Sequence, residues 1–242
     1  MTAVPRSITE NTYNPETKRY SQDKLHANVM YQEYVSPEEK HLYLESENLL
    51  TTACLRNRGV QPNDLYVVNG NPETCGIISR VVPNVSCQMS TAFLLATLHH
   101  FGTLWMDYCC TMEGNAYFRP VDDFEAILSR RLVKNGGVVG FTFSVRQPKK
   151  HWKKCTVQKH KLSTQEIRDS KKYHIFHGKK TMKNRKTSRW EHATIDFCET
   201  VLRKVGSQVS CDLEVVNFYR YQHKVGKAPP QMYVFFVRVS YQ

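Results

Sequence analysis

Three apolar runs of this 242-residue chain end in polar residues of types that can do chemistry. Asp107 and Tyr108 close the run Thr103-Leu104-Trp105-Met106. A carboxylate at the end of a buried strand needs a partner. Asp107 therefore reads as a contact to a cofactor or a substrate amino group, beside the plainer reading of a turn-forming or helix-capping acid. Tyr108 reads either as packing or as a ring on which a flipped base can stack. Glu45 and Ser46 follow His41-Leu42-Tyr43-Leu44. Glu45 and Glu47 suit either a crevice or the start of a helix, where negative charge is favoured. Asn69, Gly70 and Asn71 follow Leu65-Tyr66-Val67-Val68 and line the same crevice or form an ordinary turn. Ser90 reads first as the cap of the helix that follows it.

A different chemistry sits at 146–189. This stretch holds 16 of the 34 Lys and Arg and only two acids, Glu166 and Asp169, a net of +14. The remaining 18 basic and 20 acidic residues sum to −2, so the whole +12 of the chain is concentrated in one segment. Local positive charge of this density suits a polyphosphate backbone. The clusters are Lys149-Lys150, Lys153-Lys154, Lys171-Lys172, Lys179-Lys180 and Arg185-Lys186, interleaved with Trp152, Tyr173 and Phe176. Aromatic rings among lysines fit unpaired bases stacked beside a held backbone. A solvated loop, or a basic targeting signal, has the same composition.

Other classes find no support. No G-x-x-x-x-G-K phosphate loop is present, and no nucleophile triad can be read from spacing. Cys155, His160, His174 and His177 match no zinc spacing, so no metal is expected. The eight cysteines are scattered without a C-x-x-C pair, a usage that suits inert core thiols in a reducing cytoplasmic or nuclear compartment. No run of 18 apolar residues marks a membrane helix. The polar N-terminus has no apolar core of a secretory signal.

The elements that must position these residues alternate. Strands are expected at 41–44, 65–68, 85–89, 103–108 and 138–145, and helices at 45–58, 73–81, 91–101, from 122 to Asn135-Gly136-Gly137, and 190–205. Strand–helix alternation implies parallel pairing in a three-layer α/β sheet. Two strands, 213–223 and 232–241, close the chain. The eight residues from Lys224 to Gln231 are too few for a parallel crossover, so this pair is expected to be antiparallel. Residues 1–39 read as a polar extension and 40–242 as one domain carrying the basic insertion.

This order, with Leu104-Trp105-Met106-Asp107-Tyr108-Cys109 and Arg131-Leu132-Val133-Lys134-Asn135-Gly136-Gly137 before the strand 138–145, resembles the class I S-adenosylmethionine-dependent methyltransferases. The resemblance implies an α/β, Rossmann-like methyltransferase fold: a mostly parallel seven-stranded sheet with a C-terminal antiparallel hairpin. It implies S-adenosylmethionine held by Glu45, Ser46, Asn69, Gly70, Ser90 and Asp107, with Asp107 and Tyr108 at the catalytic position. With the basic insertion, the implied activity is methyl transfer on RNA or DNA. Two positions depart from the family. The glycine-rich loop after the first strand reads Glu45-Ser46-Glu47-Asn48, and the ribose-binding acid of the second strand reads Asn69. These departures leave open a catalytically inactive scaffold of the same fold, or a nucleic-acid-binding protein, of a ribonucleoprotein or viral assembly.

Overall fold

A computed structural model describes residues 13–14, 19–20, 22–108, 110, 119–145, 202–222 and 231–242. Two short strands, β1 (Tyr13–Asn14) and β2 (Arg19–Tyr20), pair antiparallel ahead of α1 (Gln22–Gln32). The chain then alternates through β3 (His41–Leu44), α2 (Leu50–Asn57), β4 (Leu65–Val68), α3 (Pro72–Ile78), β5 (Asn84–Ser86), α4 (Ser90–Ala96), β6 (Phe101–Asp107), α5 (Pro120–Ser129) and β7 (Val133–Val145). A helical stretch α6 (202–208) precedes β8 (Cys211–Gln222) and β9 (Gln231–Tyr241).

Seven strands form one sheet in the order β5-β4-β3-β6-β7-β9-β8. The first five are parallel, and β9 runs antiparallel to both of its neighbours. The expected mostly parallel sheet with a closing antiparallel hairpin is present. The antiparallel strand lies one place in from the edge, with β8 outermost. Buried runs such as β3 and β6, in which every residue is buried, follow from helices covering both faces. One face carries Leu94 of α4, Phe124, Ile127 and Leu128 of α5, and Leu202 and Val205 of α6. The other carries Ala27 and Tyr31 of α1, Leu55 of α2 and Ile78 of α3.

Trp105 anchors the second face. Its ring stacks between Tyr31 of α1 (5.3 Å, 19°) and Phe236 of β9 (5.5 Å, 8°). Gly140 pairs with Trp105 on one side and Phe236 on the other. The rings meet over the bare glycine, since a Cβ there would lie 2.5 Å from the indole. Part of the polar N-terminal stretch thus belongs to the core: Ala27, Tyr31 and Val35 recur every fourth residue and are buried.

Several boundaries differ from the expectation for local reasons. The helix expected from Glu45 begins at Leu50, because Leu49 takes a left-handed backbone (φ 55°) and breaks the run. The helix expected through Phe101 stops at Ala96, where the Arg130 guanidinium donates to the carbonyls of Leu94 (3.0 Å) and Thr97 (2.9 Å). Phe101 joins β6, its N–H donating to the Leu132 carbonyl. Asn135-Gly136-Gly137 does not end a helix. α5 ends at Ser129, and the three residues form an irregularity within β7 where the pairing shifts between Phe101 and Thr103. Gly136 there has φ 77°, and a Cβ on Gly137 would lie 2.5 Å from the Gly102 carbonyl oxygen.

Candidate functional site

The carboxyl ends of the parallel strands bring a row of polar residues together. Leu44 pairs with Val68, so Glu45 and Asn69 follow side by side on β3 and β4. Tyr43 pairs with Trp105, which sets Asp107 on β6 level with Glu45. Asp107 in turn pairs with Thr142 of β7. Asn69, Glu45, Asp107 and Thr142 thus cross four adjacent strands at one level, each following or closing a buried strand. Ligands of open α/β sheets bind beyond this edge.

The row is tied together by hydrogen bonds. The Asn69 side chain donates to the Glu45 carbonyl (2.7 Å) and accepts from the Asn71 N–H (2.7 Å). The Glu45 carboxylate is buried and turned back on its own loop. It accepts from the Ser46 N–H (3.0 Å), the Thr52 N–H (2.6 Å) and the Thr52 hydroxyl (2.9 Å). It therefore caps α2, whose N-cap residue Leu49 has no polar side chain of its own. Ser46 is buried beside it. The Thr142 hydroxyl lies 2.8 Å from Asp107 Oδ1 and 2.7 Å from the Tyr108 carbonyl, and its one proton serves both. Glu47 is half-buried, and its Oε2 is shielded from solvent with no hydrogen-bond partner among the described residues. Gly70 is exposed, with only the Gln88 carbonyl oxygen near its missing Cβ, at 3.9 Å. Asn71 caps α3, accepting from the N–H groups of Glu73 and Thr74, with Pro72 at the first helical position.

Ser90 and Tyr108 fall elsewhere. Ser90 is the first residue of α4 and does not cap it; Met89 precedes the helix without a side-chain bond. The hydroxyls of Ser90, Thr91 and Tyr108 all donate to the carboxylate of Asp123, a fully buried residue on α5, the last at 2.6 Å. The Tyr108 ring is buried and lies parallel to Phe143 (6.3 Å, 5°). In the sequence, Asp123 sits in the first turn of the helix expected from residue 122. Nothing local marks it, because its three donors come from residues 15 to 33 positions away.

Burial holds the Asp123 carboxyl above its ordinary value, against the lowering effect of the three hydroxyls, and raises the Tyr108 phenol well above its own. A carboxyl with a raised folded-state pKa binds its proton more tightly when folded. Stability is then lost as pH rises from the ordinary carboxylate value through the raised one. Replacing Asp123 by Asn is expected to remove that part of the pH dependence. Urea midpoints of wild type and Asp123→Asn between pH 4 and 8 should converge at the acid end and diverge above it. Parallel profiles would contradict the assignment.

No protein family and no curated protein matches the sequence. Solved structures do match in fold. TYW2 of Pyrococcus horikoshii in complex with MeSAdo superposes with a TM-score of 0.51 at 10% identity, over 93% of this chain and 65% of that one. A transferase from the same organism gives the same TM-score and identity over 93% and 66%. Trm5b of Pyrococcus abyssi gives 0.50 at 9%, over 92% and 51%. The chain has the class I methyltransferase-like fold. It is similar to only about half to two thirds of the length of these structures. In the methyltransferase-like sheet, the polar row occupies the carboxyl edge, and Val145, the last residue of β7, lies at that edge three residues beyond Thr142. The basic stretch starts there. Lys149, Lys150, Trp152, Lys153, Lys154, Lys171, Lys172, Tyr173, Lys179, Lys180, Arg185 and Lys186 lie outside the described residues, as do Cys155, His160, His174 and His177. Among the described residues, no helix is long and apolar enough to cross a membrane.

Proposed function

We propose that the chain is an S-adenosylmethionine-dependent methyltransferase acting on nucleic acid, with the cofactor at the row Asn69–Glu45–Asp107. The observation that carries this reading is the level placement of three polar strand ends on adjacent parallel strands. The donor set fits the cofactor. S-Adenosylmethionine carries an ammonium and a sulfonium, and the edge offers the carboxylates of Glu47 and Asp107. Among the described residues, Glu47 Oε2 is a buried acceptor lacking a donor, and leaving it so costs about 1–3 kcal/mol. An ammonium placed against it would remove that cost. The Gly70 backbone is open to close approach. When bound, the cofactor supplies an electrophilic methyl group.

The protein's residues divide the remaining work. Asp107, held by the Thr142 hydroxyl, is the group we assign to orienting the substrate amine and accepting its proton. Asn69 and Glu45 fix the loops on either side, each through bonds internal to the chain. Tyr108 we assign to positioning, since its hydroxyl and ring are engaged within the core. The basic segment supplies affinity for the phosphate backbone, its charge being the support for this part.

The test is transfer of labelled methyl from S-adenosylmethionine to short RNA and DNA strands. Asp107→Ala is expected to lower the transfer rate at least about 100-fold, the lower range for a positioned proton acceptor, with the circular dichroism spectrum unchanged. Unaltered transfer would remove Asp107 from the mechanism.

A second reading has its own observation. The loop after β3 lacks glycine, and both ends of the Asn69 amide are spent within the chain. A methyltransferase-like scaffold that binds nucleic acid without the cofactor shares these features. It predicts binding of the strand with no transfer.

A further inference from the structure

We propose that Cys75 and Cys87 form an oxidisable dithiol, a modification site whose disulfide locks the loop after β5 to α3 beside Asn69. Cys75 lies in α3 and is buried, and its thiol donates to the Asn69 carbonyl at 3.1 Å. Cys87 directly follows β5 and is exposed. Asn69 donates its own N–H to the carbonyl of Ser86 (3.2 Å), which brings the end of β5 against the same turn. Cys87 lies close enough to the Cys75 thiol to help raise it, after burial. One sulfur is thus reachable from solvent and the other waits behind it. This arrangement of an accessible thiol with a resolving partner is the one that favours reversible oxidation.

With hydrogen peroxide as oxidant, the step balances. The Cys87 sulfur attacks the peroxide, forming an S–O bond and breaking the O–O bond, and water leaves. The Cys75 sulfur then attacks the sulfenic sulfur. An S–S bond forms, the S–O bond breaks, and the hydroxide leaves with the Cys75 proton as a second water. Two thiols and one peroxide give one disulfide and two waters. Burial of Cys75, which pushes its thiol up to about 12, makes this second step the slow one, because the thiolate is the attacking form.

The consequence reaches the polar row. Oxidation removes the proton that Cys75 gives to the Asn69 carbonyl, and it ties residue 87 to the helix that follows the Asn69 turn. Under the proposed function, which this consequence rests on, oxidation weakens cofactor binding.

The experiment uses the full chain treated with hydrogen peroxide, then mapped as non-reduced peptides. A Cys75–Cys87 linked peptide and a mass loss of two hydrogens are expected. Cys87→Ser should lack both, and Cys75→Ser should carry a Cys87 sulfenic acid trapped by dimedone. Oxidation of Cys87 without a link to Cys75 in the wild type would overturn the dithiol. Calorimetry with S-adenosylmethionine then compares reduced, oxidised and dithiothreitol-recovered protein. At least 5-fold weaker binding after oxidation, restored by reduction, is expected. Equal binding in both forms would overturn the coupling. If the reduced protein binds no cofactor, the proposed function fails, while the peptide map still decides the dithiol.

Discussion

Deleting residues 149–186 is expected to lower affinity for a short single strand at least about 100-fold at 50 mM salt, and to flatten its salt dependence to near zero. The reasoning is electrostatic. The stretch 146–189 carries +14 against −2 for the rest of the chain. If about six phosphates are contacted, log K falls against log salt with a slope of about −4 to −5. A remainder with net negative charge has no comparable means of releasing counterions. Fluorescence anisotropy of a labelled strand across a salt series gives affinity and slope together. The deletion variant is first checked for an unchanged thermal transition. Wild-type affinity and slope in a folded deletion variant would sink the proposed role of the segment.

The largest expected stability effect lies at Trp105. Replacing it by Ala removes the ring held between Tyr31 and Phe236 and leaves a cavity at the centre of the second face. Such changes cost about 3–5 kcal/mol. Gly140→Ala attacks the same place from the opposite direction, putting a methyl group 2.5 Å from the indole, and overpacking of this kind costs about 1–3 kcal/mol. The two sites touch, so their effects are not additive. Gly140→Ala should cost less in a Trp105→Leu background than in the wild type. Urea unfolding followed by far-ultraviolet circular dichroism measures all five proteins: wild type, the three single variants and the Trp105→Leu/Gly140→Ala double variant. A Trp105→Ala cost below about 1 kcal/mol would contradict the placement of α1 against the sheet. Equal Gly140→Ala costs in both backgrounds would contradict the contact across the glycine.

The strands were the legible part of the sequence. β3 and β4 occupy the ranges their apolar runs predict, 41–44 and 65–68. The closing pair is antiparallel because its connection is short. Burial on both faces makes such runs continuous, so their ends are sharp. Helix ends were less legible, because distant side chains set them. Arg130, just past the end of α5, terminates α4, and Glu45 caps α2 from the start of the loop that precedes it. Neither leaves a local trace.

The same distinction holds at the candidate site. Asn69, Glu45 and Asp107 were readable because each ends an apolar run. Which way their side chains turn was not, since that depends on Thr52, Asn71 and Thr142 arriving from other elements. Asp123 was invisible as a hub. Its donors Ser90 and Tyr108 read individually for other roles, and they meet only where the start of α4 and the end of β6 come against α5. The α1 helix was hidden by composition: its polar residues mask the four-residue spacing of Ala27 and Tyr31, continued past its end by Val35, that could have marked it.

The central claim is that the polar row at the carboxyl edge holds S-adenosylmethionine. Isothermal titration of the full chain with S-adenosylmethionine tests it most directly, with Asp107→Ala and Glu47→Ala titrated alongside. We expect one site with a micromolar dissociation constant in the wild type, and at least about tenfold weaker binding in each variant, a loss of about 1.4 kcal/mol. Absence of binding heat at several temperatures, or wild-type affinity in both variants, would contradict the placement of the cofactor at this edge.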